Sequence, residues 1–425
     1  MKILVVGSGG REHALCRAFK KSRRETKIFC ANGNAGIAAL AECVDIKPEE
    51  ISKLADFAAE NEIDLTFVGG ETALALGIVD EFEKRNLKII GAGKRAAQLE
   101  ASKAFAKDFM LRHKIPTARY EVAGSTEKAV EILQSGKFGG ENSPVVVKAD
   151  GLAAGKGVVV AQDRREAVEA INDLENTVGK EAVSKIVLEE CLFGREVSLI
   201  LFADGKNFAL MPPARDHKRI GENDTGANTG GMGVVTDAGL LSAAQTREIV
   251  EKIIEPTLDG CRKENFEFRG ILFLGLMMTG EGAKVLEYNA RFGDPETQAI
   301  LIRLETDFVE ICEAIHAQTL DKLSIEWKAG SSACVVLASK GYPAKAQTGD
   351  EIRGLDKAGE DENVFVFHAG TAKNENGAYV TAGGRVLGVT AAAENLEEAL
   401  NRAYQAVEKI SWHGMQFRRD IGRKE

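Results

Sequence analysis

The stretch Val145–Val160, reading VVVKADGLAAGKGVVV, constrains the fold of this chain more than any other. Two β-branched runs, Val145–Val147 and Val158–Val160, flank Lys148 and a glycine-rich turn from Gly151 to Gly157 that carries Gly155 and Lys156. Runs of this kind bounded by glycines form the two strands of a hairpin. Backbone N–H groups of a glycine turn reach phosphate oxygens with no Cβ in the way. Lys148, at the end of the first strand, is the cation for those oxygens. The order GLAAGKG lacks the four-residue interval and the Ser or Thr of a Walker loop, and no helix follows it. The expectation is a flap between antiparallel strands that closes over ATP; the plainer reading is a surface hairpin.

At 425 residues the chain is too long for one core, so several domains are expected. Residues 1–100 alternate strand-like and helix-like patterns: Ile3–Val6, then GSGG, then a helix over Arg11–Lys21, with further buried strands at Lys27–Cys30, Leu65–Val68 and Lys88–Ile90. This alternation predicts a parallel, doubly wound sheet with ligands at the carboxyl ends of its strands. The loop Gly7-Ser8-Gly9-Gly10 then lies where a helix N-terminus can receive an anion. A dinucleotide fold fails on two counts, since Glu12 stands where the third glycine belongs and the second strand ends in Ala31-Asn32-Gly33 without an acid. A smaller phosphate-bearing substrate is the better expectation, with Glu71 on the same sheet edge.

Gln98–His113 reads as one amphipathic helix carrying Lys103, and residues 120–187 as a small unit around the hairpin. A strand over Lys185–Glu189 runs into Glu190-Cys191-Leu192 and on to Glu196, a linker able to meet an adenine edge and ribose hydroxyls. Residues 215–233, with Asp216, His217, Lys218 and Arg219, read as a long functional loop. In VLEYNARFGDPETQ, strand alternation puts Glu287, Asn289 and Arg291 on one face and Leu286, Tyr288 and Ala290 on the other. A carboxylate and an amide oxygen two residues apart suit Mg²⁺, which takes one or two protein carboxylates beside nucleotide phosphates, and Arg291 can hold an anion next to it. From about Ser331 the pattern changes to strands and tight turns, then a helix over Asn395–Ile410 and a basic tail: a small α+β cap.

A formal net charge of −9 argues against nucleic acid as a partner, and the short basic clusters Lys20–Arg24 and Arg418–Arg423 read as solvated surface. The seven cysteines are scattered, with no C-x-x-C, as in reduced cytosolic proteins. MKILVVGSGGREH is a first strand and not a signal peptide, and no apolar run reaches membrane-spanning length. A cytoplasmic protein with no membrane partner is expected.

The motifs GSGGREHAL, NAGIA, QLEASKAFAKDFM, KADGLAAGKGV, DHKR, NTGGMG, NARFGDPETQ, FHAGT, GGRVLGVT and FRRDIG resemble the phosphoribosylamine–glycine ligase (glycinamide ribonucleotide synthetase) family of the ATP-grasp superfamily, essentially end to end. The resemblance implies an N-terminal phosphoribosylamine-binding α/β domain over 1–100, an ATP-grasp domain over 101–325 with a mobile lid at about 120–188, and a C-terminal cap over 326–425. It implies that Lys103 and Lys148 hold ATP phosphates under the lid residues Gly151, Gly155, Lys156 and Gly157. By the same resemblance Glu189 and Leu192 meet adenine through their backbones, Glu196 the ribose, and Glu287 and Asn289 the Mg²⁺ or Mn²⁺. Gly9, Gly10, Glu71, Asp216, Lys218 and Arg291 line the phosphoribosylamine site, with Lys148, Arg291 and Asp216 as the catalytic set. The implied substrates are ATP, glycine and 5-phosphoribosylamine, acted on by a monomer, with a weak dimer as the alternative. Another ATP-grasp carboxylate–amine ligase, or a carboxylase, is the alternative activity. Gly70, Arg215 and Ala227 depart from the family pattern, where proline, glutamine and proline are usual.

Overall fold

The alternating pattern of the first hundred residues folds into a five-stranded sheet. In this computed structural model, which describes residues 1–152, 157–179 and 185–423, its strands run in the order Glu42–Val44, Lys27–Asn32, Lys2–Gly7, Leu65–Val68, Ile89–Ile90. All four pairings are parallel. The order reverses direction between Lys2–Gly7 and Leu65–Val68, which places the Gly7–Gly10 and Gly69–Gly70 loops side by side at the switch point.

The predicted helix Gln98–His113 is two helices. Ser102 adopts extended backbone and its side chain accepts from the Phe105 N–H, so it caps Lys103–Arg112 after Gln98–Ala101 has ended. The glycine hairpin is present as Val145–Ala149 paired antiparallel with Val158–Ala161. It belongs to a four-stranded sheet with Ile186–Glu190 and Tyr120–Ala123, which has an apolar core of its own around Val145, Val147, Ile171 and Leu188.

The third sheet is antiparallel and nine-stranded. Gly282–Asn289 and Arg269–Thr279 lead through Arg195–Asp204, Ala214–Asp216 and Gly233–Thr236 into Ser331–Ala338, Arg385–Ala393 and Val364–His368. The cap therefore has no separate sheet for its main strands, because Gly233–Thr236 pairs directly with Ser331–Ala338. Residues 215–233, expected as loop, contain the end of Ala214–Asp216 and a short hairpin of Arg219–Gly221 with Thr225–Asn228. The glycines there serve turns between short strands.

Two contacts lock the N-terminal domain to the rest. Phe19 and Phe67 pack on Phe292 and Phe308, with Phe19 and Phe308 centroids 4.9 Å apart. Each fully buried phenylalanine contributes about 1.5–3 kcal/mol of transfer free energy. On the other side, the His368 N–H donates to His13 Nδ1 at 2.8 Å, and Asn34 Nδ2 donates to Ser8 O and His368 O. Gly36 has to be glycine here, since a Cβ would lie 2.3 Å from the His368 ring. The tail is a solvated basic cluster only in part: Arg419 and Arg423 are exposed and Arg418 is not. Arg418 is 1% exposed, paired with Asp224 at 2.6 Å and with Asp420 at 2.8 Å. It ties the chain end to the turn before NTGGMG. No described helix is long and apolar enough to cross a membrane.

Candidate active site

A cavity of about 350 Å³ lies where the three sheets meet. The N-terminal domain contributes Arg11 and Glu71, the hairpin sheet Lys148 and the cap Arg385; Glu287 comes from the strand Gly282–Asn289 and Lys218 from the link after Ala214–Asp216. No one domain could build this site alone.

Lys148 ends the first hairpin strand with its Nζ 2.8 Å from Glu189 Oε1 and donating to Leu286 O at 3.1 Å. Glu189, whose backbone is the group expected at the adenine edge, places its side chain between two lysines, with Oε2 2.8 Å from Lys107 Nζ. Lys103 Nζ donates to Gly151 O at 2.8 Å, linking the capped helix to the start of the glycine turn. Burial pulls the Lys103 ammonium below its usual range, while Glu287 opposes the shift. Gly151 and Gly157 line the cavity; Gly155 and Lys156 lie outside the described residues.

The alternation predicted around Glu287 holds for Glu287, Asn289 and Arg291 against Tyr288 and Ala290, and breaks at Leu286. Gly275 pairs with Glu287 but Leu276 with Val285, so Leu286 is the extra residue of a bulge and lines the cavity together with Glu287. Tyr288 turns into the core, where its hydroxyl pairs with Thr257 at 2.8 Å. Burial works against charge on Glu287, but Lys218, Lys148, Lys103 and Arg291 outweigh it and lower its pKa. Asn289 Oδ1 accepts from Arg291 Nη2 at 3.2 Å. Among the described residues no cluster of three or more His, Cys, Asp and Glu could hold a metal by itself. An anionic carboxylate beside an amide oxygen does fit a hard divalent ion that takes its other ligands from phosphates and water.

Lys218 Nζ is 3.4 Å from Glu196 and 3.8 Å from Glu287. Glu196 thus meets a lysine at the cavity rim. Burial opposes charge on Lys218, but Glu287, Glu196, Asp216 and Glu296 raise its pKa. Its side chain is still 41% exposed, so water screens part of that field. Burial first, and then Glu296, raises the pKa of Asp216, so the two carboxyls share a strained negative site beside Lys218. Leu192 lies in the segment after Ile186–Glu190, away from the cavity lining.

Arg291 is held from several sides. Its Nη2 is 2.7 Å from Glu100 Oε1, and its Nε donates to Glu71 Oε2 at 3.1 Å. Burial disfavours the Glu71 carboxylate, yet Arg291 and Arg11 hold its pKa down to about 2. Glu100, largely buried, is pushed up by desolvation and accepts from the Ala290 N–H at 2.8 Å.

The glycine loop of the first domain corrects an expectation. Glu12 Oε2 accepts from the Gly9 N–H at 2.6 Å, so the protein's own carboxylate occupies that donor. A Cβ at Gly7 would lie 2.7 Å from the Glu12 side chain, and one at Gly69 only 2.1 Å from Oε1. These glycines make room for Glu12, and Gly9 is not an open anion donor. Gly10 faces Gln298 instead, whose Nε2 would be 2.5 Å from an added Cβ and donates to Asp294 Oδ1 at 2.7 Å. Asp294 in turn is 3.2 Å from Arg385.

Arg11, Glu100, Lys107, Glu296 and Arg385 went unassigned in the sequence. Lys107 had a signal, standing one helical turn after Lys103, and so did Arg11 beside the glycine loop. Arg385 and Glu296 stand inside the motifs GGRVLGVT and NARFGDPETQ, but nothing in either motif says that its charge faces this cavity.

Three models of the phosphoribosylglycinamide synthetase family match the chain in register: the N domain over residues 1–100, the ATP-grasp (A) domain over 101–297 and the C domain over 332–424. The chain belongs to the phosphoribosylamine–glycine ligase family. A phosphoribosylamine–glycine ligase of Caldanaerobacter subterraneus subsp. tengcongensis is 47% identical over 422 residues, covering 99% of each chain. The crystal structure of phosphoribosylamine–glycine ligase from Thermotoga maritima superposes with a TM-score of 0.84 at 32% identity, covering 99% of this chain and 100% of that one. The biotin carboxylase domain of Hydrogenobacter thermophilus 2-oxoglutarate carboxylase, solved with MgADP and bicarbonate, gives a TM-score of 0.74 at 17% identity, over 98% of this chain and 91% of that one. That likeness is one of fold. The ATP-grasp core stands between the N domain and the C domain, and all three reach the cavity.

Proposed function

We infer that this family member joins glycine to 5-phosphoribosylamine with ATP, giving glycinamide ribonucleotide, ADP and phosphate. The observation that carries the reading is the single cavity lined by Arg11 and Glu71, Lys148 and Glu287, and Arg385, in a chain that matches the ligase family from end to end. The glycine carboxylate attacks the γ-phosphate of ATP, forming glycyl phosphate and releasing ADP. The amine of phosphoribosylamine then attacks the acyl carbon and phosphate leaves.

In this scheme Lys103 and Lys148 hold the phosphates, and Lys148 stabilises charge on the phosphoryl in flight. Glu287 and Asn289 would hold Mg²⁺ or Mn²⁺, which when bound neutralises phosphate charge. Glu196 and Lys218 sit where a ribose and an anion would meet them, and Glu71, Asp216 and Arg291 line the side toward the phosphorylated amine. We assign 1–100 to that substrate, 101–325 to ATP with its lid at about 120–188, and 326–425 to closing the site from the cap side. A cytoplasmic location and a monomer or weak dimer belong to the same proposal; free thiols at all seven cysteines suit a reducing compartment.

The test is ADP release with ATP, glycine and 5-phosphoribosylamine together, and radiolabelled glycine recovered in the phosphorylated product. Turnover that needs bicarbonate or D-alanine in place of glycine would assign a sibling carboxylase or peptide ligase.

Gly10→Val tests the first domain. The added side chain collides with Gln298, displacing the Asp294–Arg385 pair beside it. The KM for phosphoribosylamine is expected to rise on the order of tenfold to a hundredfold, as small misplacements do elsewhere, with the KM for ATP unchanged. Steady-state kinetics with each substrate varied decides this, and an ATP-selective defect would move the nucleotide into the first domain.

A further inference from the structure

Lys107 lies one turn beyond Lys103 on the helix Lys103–Arg112 and is 2% exposed. Its Nζ is 2.8 Å from Glu189 Oε2 and donates to Thr117 Oγ1 at 2.7 Å. The other oxygen of Glu189 is 2.8 Å from Lys148 Nζ. Thr117 Oγ1 in turn donates to Val285 O at 2.6 Å, and the Val285 N–H donates to Pro116 O at 2.8 Å. One ammonium therefore reaches both walls of the cleft. Through Glu189 it meets the hairpin sheet that carries Lys148, and through Thr117 the strand that carries Glu287.

We propose that Lys107 is a positioning residue for the nucleotide, holding Glu189 in the orientation that fixes Lys148 and setting the hairpin sheet against the Glu287 strand. This rests on the reading of Lys148 as a phosphate-binding group. The charge arrangement favours it. Two lysines share the buried Glu189 carboxylate, Glu287 is the next carboxylate that acts on Lys148, and both lysines line the cavity. Buried charge needs a partner, and an anion in the cavity completes the set.

The surroundings also make Lys107 titratable in an accessible range. Burial pulls it down to about 8, with Glu189 pulling back and Lys148 pushing further down. Glu190 also faces it but is paired with Arg119 at 2.6 Å, and the Tyr120 ring lies 5.9 Å away. As pH rises past that value Lys107 loses its proton, and Glu189 is left to Lys148 alone.

The experiment compares the native enzyme, Lys107→Met, Lys107→Arg and Lys148→Met in kcat and KM for ATP from pH 6 to 10, with melting temperatures alongside. Lys107→Met is expected to lower kcat/KM for ATP by about 10–100-fold, the usual cost of losing a group that orients a ligand-binding side chain, with the KM for glycine unchanged. In the native enzyme kcat/KM for ATP falls above pH about 8; in Lys107→Arg, whose guanidinium stays charged, that fall is absent. A folded Lys107→Met with native kcat/KM overturns the proposal. So does an alkaline fall that persists in Lys107→Arg. If the variants do not fold, a native profile that stays flat to pH 10 overturns it. Full ATP turnover in Lys148→Met would instead remove the underlying reading of the nucleotide site.

Discussion

Replacing Lys148 with methionine is expected to lower kcat by about 10²–10³-fold, the loss that follows removal of a preorganised charge at a reacting oxygen. The structure explains why such a variant should still fold. Glu189, the buried partner of Lys148, keeps its second ion pair with Lys107, so no carboxylate is stranded. Methionine also matches most of the lysine stem in volume. The defect should therefore show in single-turnover phosphoryl transfer and in binding of a non-hydrolysable ATP analogue, with the melting temperature nearly native. A variant that binds the analogue and turns over normally would return the hairpin to plain surface structure.

Glu287→Gln is expected to abolish ligation at ordinary Mg²⁺, a loss of more than about 100-fold, since even groups that only orient metal ligands cost 10–100-fold when removed. Glu287 is the carboxylate of a set with few protein oxygens, and four cations hold it ionised. The amide keeps the shape and removes the charge, which also takes from Lys218 one of its partners. Titrating Mg²⁺ or Mn²⁺ against activity checks the cause: a midpoint shifted to higher metal supports a ligand role. Native activity with an unshifted midpoint would take the strand Gly282–Asn289 out of the reaction.

Much of the fold could be read from the sequence because its signals are local. The valine runs on either side of the glycine turn became the hairpin, and the parallel sheet followed from short apolar runs between helices. Where the reading failed, the deciding partner lay far along the chain or in one small side chain. Ser102 ended a helix whose periodicity ran straight through it. The bulge at Leu286 depends on how the Arg269–Thr279 strand pairs, and one strand's own sequence does not carry that. Glu12 stands where a dinucleotide loop has its third glycine, and its place inside the glycine loop appears only once Gly69 is brought beside Gly7. Arg418 looked like a solvated charge because Asp224, which joins its neighbour Asp420 in pairing with it, is 194 residues away. The site shows the same division. Lys103, Lys148, Asp216, Lys218, Glu287 and Arg291 all reach one cavity, whereas Arg385, inside the motif GGRVLGVT, joins it from the cap only through the tertiary fold.

The sheet that runs from Gly282–Asn289 through Gly233–Thr236 into Ser331–Ala338 has a consequence for how the molecule comes apart. Its cap strands and central strands hold one another's backbone hydrogen bonds, so neither set can melt first without leaving an open, aggregation-prone edge. Cap and central domain therefore form one cooperative unit, while the hairpin sheet, with its own core, forms another. Amide exchange under native conditions would show it as a single protection level shared by Val234–Val235 and Ala333–Val335, and a lower one across Val145–Val147. Separate levels for the first two segments would mean that the shared ladder does not bind them into one unit.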